Sequence, residues 1–172
     1  MSFDIFFQTS RLSDQTEEAV NPFTGEVMQK PVGESLSPAD RDALRELLTS
    51  HGATLPLDSN CYQFDFSDGS GFELFMDHLE SDADVSGGMA ALRGLSTEIL
   101  NVLYALAEAG NMVMLPAMEE TRPLVTSREV ADRVVSRWPD VLVLTSPEEL
   151  GAFLQQGFAG WEAYRDRVTG ED

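Results

Sequence analysis

Alternating apolar and polar positions open the chain. Phe3, Ile5 and Phe7 fall at period two, so a strand over residues 3–8 turns one apolar face inward and shows Asp4, Phe6 and Gln8 on the other. Residues 9–36 lose that pattern. Asn21-Pro22, Thr24-Gly25, Pro31 and Gly33 favour turns there, with a short strand over residues 26–32 as the one regular candidate, and Asn21-Pro22-Phe23-Thr24-Gly25 has the chemistry of a tight turn. Ser37-Pro38-Ala39-Asp40 then joins a hydroxyl cap, a proline at the first helical position and an acid in the first turn. Ala43, Leu44, Leu47 and Leu48 follow as one stripe, and Gly52 closes it just after His51, which predicts the first helix.

Residues 61–79 read as a hairpin. Tyr62, Phe64 and Phe66 alternate, Ser67-Asp68-Gly69-Ser70-Gly71 turns, and Phe72, Leu74 and Met76 alternate back, with His78 continuing their side. Gln63, Asp65, Glu73, Phe75 and Asp77 take the opposite face. After a polar loop through Gly87-Gly88, residues 99–109 are apolar nearly all round, which predicts a helix enclosed by neighbours and stopped at Gly110. The remainder reads strand (112–115), helix (127–138), strand (141–144) and helix (147–168). Thr126 with Glu129, and Ser146 with Glu149, have the hydroxyl-to-acid spacing of reciprocal helix caps. Leu150, Phe153, Leu154, Phe158, Trp161 and Tyr164 line one side of the last helix, which Gly157 and Gly160 weaken. Continuous apolar strands flanked by helices predict a covered, parallel sheet core.

The expected architecture is therefore α+β. Residues 1–172 form one domain, in which the N-terminal strand, the central hairpin and a C-terminal strand-helix-strand-helix unit build a mixed sheet packed with about four helices. Composition agrees: 42% of the 172 residues are apolar, and ten Phe, three Tyr and two Trp can fill a core, so the chain folds despite its charge. The formal net charge of −19 excludes non-specific phosphate-backbone binding, so no nucleic-acid partner is expected. A single cysteine, Cys61, rules out an intrachain disulfide and points to a reducing compartment. No apolar run reaches about 18 residues, so no membrane segment is expected and the chain reads as soluble and cytoplasmic.

The charge is uneven. Between Arg45 and Arg93 no Lys or Arg interrupts Glu46, Asp58, Asp65, Asp68, Glu73, Asp77, Glu80, Asp82 and Asp84. Further on, Arg122, Arg128, Arg133, Arg137, Arg165 and Arg167 interleave with acids and read as compensated surface. Like charges held together repel, so the hairpin and its following loop predict a docking surface for a basic protein. A solubility face is the alternative. The candidate partner-binding residues are Asp65, Asp68, Glu73, Phe75, Asp77, Glu80, Asp82 and Asp84; Phe6 and Phe75, on the acidic side by alternation, are candidate anchors unless a helix covers them.

Catalytic constellations are not apparent. A nucleophile needs a base beside it, and the two histidines read as a helix end (His51) and a strand position (His78), while Cys61 opens a strand as a small hydrophobe. Asp82-Ala83-Asp84-Val85-Ser86-Gly87 has the opening spacing of a calcium loop, but position twelve is Arg93 where a Glu is required, so it reads as an acidic loop. Acids already occupy the helix starts, and no Gly-rich phosphate turn is present. No cofactor, metal or catalytic residue is assigned. The competing reading is a small-ligand or enzymatic domain with a pocket at the carboxyl ends of the strands near 115 and 144, around Pro116, Met118, Glu119, Thr145 and Ser146. A homodimer that buries the aromatic C-terminal helix is a further expectation.

In general character, acidic, small and of mixed α/β type, the chain resembles bacterial immunity and antitoxin proteins, which neutralise basic effectors by covering their active sites. The likeness rests on composition and implies a basic protein partner without indicating which residues hold it.

Overall fold

The computed structural model describes residues 2–20, 25–54, 60–118 and 121–170. In chain order the described elements are β1 (Phe3–Thr9), β2 (Leu12–Val20), β3 (Val27–Gly33), α1 (Pro38–Ser50), β4 (Cys61–Asp65), β5 (Gly71–Phe75), β6 (Gly87–Leu92), α2 (Thr97–Ala109), β7 (Met112–Pro116), β8 (Leu124–Val125), α3 (Arg128–Val134), β9 (Leu142–Val143) and α4 (Pro147–Thr169). Seven strands form one sheet in the order β4-β5-β6-β1-β7-β8-β9, and β2 pairs with β3 apart from it. The fold is α+β with a mixed sheet and four described helices.

Period-two patterning decides what each side of the sheet meets. Phe3, Ile5 and Phe7 of β1 stand in register with Leu92, Ala90 and Gly88 of β6; Phe72 and Leu74 of β5 continue the same face, and Tyr62 and Phe64 of β4 complete it. Against this inner face pack Leu44 and Leu48 of α1, Ile99, Val102, Leu103 and Leu106 of α2, and Leu150, Leu154 and Phe158 of α4. The other face is divided. Over β7, β8 and β9 it is covered, where Val113, Val125 and Val143 join Val130, Ala131 and Val134 of α3 in a second core. Over β4, β5, β6 and β1 none of the described helices packs on it.

Helix starts follow the cap rule throughout: the hydroxyls of Ser37, Ser96, Ser127 and Ser146 each accept from the amide three residues on. For α3 the cap is Ser127, one residue beyond the Thr126 that the spacing suggested, and the helix stops at Val134, short of Trp138. At α4 the Glu149 carboxylate takes the amide of Thr145 at 2.7 Å, so the reciprocal cap closes one residue earlier than the motif implies. Gly157 and Gly160 do not interrupt α4.

Three other expectations change. Residues 9–36 are not mainly turns: they carry β2 and β3, joined antiparallel with a register shift between Leu12 and Thr16. The tight turn expected over Asn21-Pro22-Phe23-Thr24 lies outside the described residues. Gly87-Gly88 is not loop but the start of β6, which sits between β5 and β1. A Cβ on Gly87 would lie 2.3 Å from the Phe7 carbonyl oxygen, and one on Gly88 2.6 Å from that of Phe75, so close strand approach, not chain reversal, requires the glycines. The C-terminal strands are not a parallel pair either. β7 runs antiparallel to both β1 and β8, and only β8 with β9 is parallel.

Candidate functional site

Strand register lays the uncovered outer face out in transverse rows. Cys61 stands opposite Phe75, Phe75 opposite Met89, Met89 opposite Phe6, and Phe6 opposite Leu115, which gives an apolar row across five strands. One pleat along lies a polar row in which Gln63 faces Glu73, Glu73 faces Ala91, and Ala91 faces Asp4. Asp65 follows at the end of β4. Phe6 is 44% exposed and Phe75 and Met89 are half-buried, while Leu115 is taken up by the α3 core. The apolar row thus runs open from β4 to β1 and closes where α3 begins.

Of the eight candidate residues, Asp65, Glu73 and Phe75 share this face. Glu73 is within 3.6 Å of the exposed Arg93 guanidinium, so the acidic row is answered in part. Asp68 belongs to the hairpin turn. Its carboxylate accepts from the Ser70 amide at 2.9 Å and the Ser70 hydroxyl at 2.5 Å, which pull its pKa below the usual carboxylate range. Asp77, Glu80, Asp82 and Asp84 lie past the opposite end of β5. Asp77 accepts from the Asn60 amide nitrogen, and Glu80 accepts from the Tyr62 hydroxyl at 2.9 Å.

Asp82 and Asp84 line a cleft of about 610 Å³ with Arg11, Glu34, Arg41, Asp42 and Arg45, a setting of mixed sign. The loop they stand on is gripped by α1. Arg45 donates from Nε to the Leu79 carbonyl at 2.6 Å and from Nη2 to the Ser81 carbonyl at 3.1 Å; Arg41 donates to the Ser81 carbonyl at 2.7 Å and also to that of Ala83. Arginines therefore reach the acidic middle segment from α1, through backbone oxygens and not through carboxylates. Asp58, also counted in that segment, lies outside the described residues.

The chemistry set aside on sequence grounds has these positions. Burial and then the Glu73 charge push the Cys61 thiol up, the direction opposite to an activated nucleophile. His78 does not continue the strand face: it is exposed in a turn at φ 63°. Ser86 and Gly87, inside the calcium-like spacing, are used by the sheet, since the Ser86 carbonyl takes the Thr9 amide at 2.8 Å and Gly87 pairs with Gln8. Among the described residues no three His, Cys, Asp or Glu side chains converge as a metal site. The residues of the alternative pocket do not come together. Met114 is level with Leu124 and Leu124 with Leu142, so Pro116 and Thr145 point past opposite ends of the sheet. Met118 instead packs on Gly157 of α4, and Glu119 lies outside the described residues.

Burial first and the Glu80 contact second push the Tyr62 hydroxyl far up, and burial does the same more mildly for Tyr104. In the unfolded chain tyrosine ionises near pH 10. Above that value the unfolded state releases protons that the folded state keeps, so stability is expected to fall as pH rises past about 10. Urea midpoints at pH 8, 10 and 11 check this, and Tyr62→Phe should flatten the decline.

The outer face adds two residues to the candidates, Asp4 and Met89. Met89, its centre, escapes the sequence pattern because Gly87-Gly88 conceals the strand that carries it, with Met89-Ala90-Ala91-Leu92 as the one signal of β6. Among the described residues no helix is long and apolar enough to cross a membrane. Comparison with known proteins brings no match: no family model, no curated sequence and no solved structure aligns with the chain.

Proposed function

We propose that the chain is a non-enzymatic binding protein that docks a basic protein partner on its uncovered sheet face. The observation that carries this reading is the row Phe75-Met89-Phe6, open to solvent beside Asp4, Glu73 and Asp65. An apolar stripe rimmed by charge is the anatomy of an interface: the aromatic supplies affinity by desolvation, and the acids steer a cationic surface and fix its register. The net charge of −19 extends that steering beyond the contact itself.

In composition the chain resembles bacterial immunity and antitoxin proteins, and we assign it to that functional type, acting in a reducing cytoplasm that suits its lone thiol. In this reading the partner-facing set is Phe6, Phe75, Met89, Asp4, Asp65 and Glu73. Asp68, Asp77 and Glu80 serve the fold, and Asp82 and Asp84 add only to the long-range field. Immobilised full-length chain should retain a basic protein from an extract of its own host. Association should slow by about tenfold or more between 50 and 500 mM salt, the range over which exposed charges are screened. Retention that ignores salt, or that survives Asp4→Lys with Glu73→Lys, sinks the reading.

A further inference from the structure

The geometry points to a second contact element: β2 offers its free edge to an extended basic segment of the partner, which pairs with it as an added strand. This rests on the docking of a basic partner on the outer face. Among the described residues β2 and β3 pair only with each other, and two strands alone are marginal in water. The two arms close at the base, where Glu34 donates its amide to the Arg11 carbonyl at 2.7 Å, and the flanking amides of Thr9 and Leu36 tie that base to the body through the carbonyls of Ser86 at 2.8 Å and Val85 at 2.7 Å. Beyond the base almost everything is exposed, including Val20 (63%) and Val27 (66%). The chain shows 9812 Å² of surface, where a globular chain of its mass shows on the order of 8,000 Å².

The two edges of this ribbon differ. β3 contains Pro31, which has no N–H to give and blunts its edge, whereas Leu12–Val20 contains neither Pro nor Gly. Asp14, Glu17 and Glu18 stand on β2 with no base among its nine residues. A second copy would bring the same acids and the same −19 to the contact, so charge selects a basic strand over self-association. At the base, Leu12, Glu17 and Val32 face Phe6, Gln8 and Gly87 across a groove of about 320 Å³. A strand added beside β2 turns alternate side chains to the groove side, where Glu17 and the Phe6 ring stand, and the others to solvent.

The test uses the full chain and an octapeptide in which Lys alternates with Val or Thr. At low salt the peptide is expected to bind and to slow hydrogen exchange at the amides of β2. Methylation of alternate peptide nitrogens should weaken it by about tenfold or more, as lost backbone bonds require. Binding that is equal after methylation, or protection that falls elsewhere, overturns strand addition while leaving outer-face docking intact. Failure of the unmodified peptide to bind at low salt also overturns strand addition, while outer-face docking stands or falls separately on the salt-dependent retention of the partner. A dimer by sedimentation with β2 already protected in the absence of peptide overturns strand addition in favour of a second copy.

Discussion

Phe64→Ala is expected to lower the free energy of unfolding by about 3–5 kcal/mol, as loss of a fully buried aromatic does. Phe64 is 2% exposed and stacks on Phe72 with ring centroids 4.5 Å apart and planes 6° from parallel. Phe66 lies 6.4 Å away on one side, and His51, at the end of α1, lies 6.5 Å away on another. Removing the ring leaves a cavity that this surround cannot close and ends the stacking as well. Because a domain holds only about 5–15 kcal/mol in all, the loss is a large share of the total. It falls on β4, an edge strand whose outer side is held, among the described residues, by a bridge from Thr54 to Gln63. Urea unfolding of Phe64→Ala beside Phe66→Ala measures it, with the half-buried Phe66 giving the smaller shift. Equal shifts would show that the stack does not anchor the hairpin.

Phe6→Ala should separate recognition from stability. The ring is 44% exposed on the open face, so truncation is expected to move the unfolding midpoint little, within roughly 1 kcal/mol. Affinity for the basic partner should fall by about 30- to 1,000-fold, the 2–4 kcal/mol of a desolvated aromatic anchor. Asp4→Asn is the counterpart. It leaves the apolar row intact and should slow association several-fold with little change in dissociation, because a rim carboxylate steers more than it holds. Measured rates for both variants decide the division of labour. If Phe6→Ala binds like the parent chain, the open row is not the anchor and the outer face loses its claim.

The elements with strong periodicity were legible in the sequence. The alternation of Tyr62 and Phe64 against Phe72 and Leu74 predicts the β4–β5 pairing observed, and it places Asp65, Glu73 and Phe75 on the side they occupy. The cap residues locate the starts of α1, α3 and α4 to within a residue, whereas α2 begins at Thr97 under a Ser96 cap, two residues before its continuous apolar run marks it. Elsewhere one residue type served two physical purposes. Gly87-Gly88 and Pro31 are turn residues by local rule, yet here they sit in strands, where close backbone approach and edge position explain them. Direction was equally hidden: apolar strands between helices satisfy parallel and antiparallel sheets alike, and the two-residue β8 that sets the order carries no periodicity to read. The acids present the same difficulty at the site. Nine successive carboxylates without a base look like one surface, but the strand length of β5 divides them, and Asn60, Ser70 and Tyr62 each engage one of them within the fold.

The hold of Arg41 and Arg45 on the segment between Leu79 and Val85 is indifferent to side-chain identity, because carbonyl oxygens are supplied by every amino acid. With Leu79 and Val85 sunk into the core at either end and Glu80 kept for the Tyr62 hydroxyl, the rest of the span keeps its path while its letters change. Evolution can therefore retune polarity there without renegotiating the scaffold, and an engineer can display a short foreign epitope at the same address.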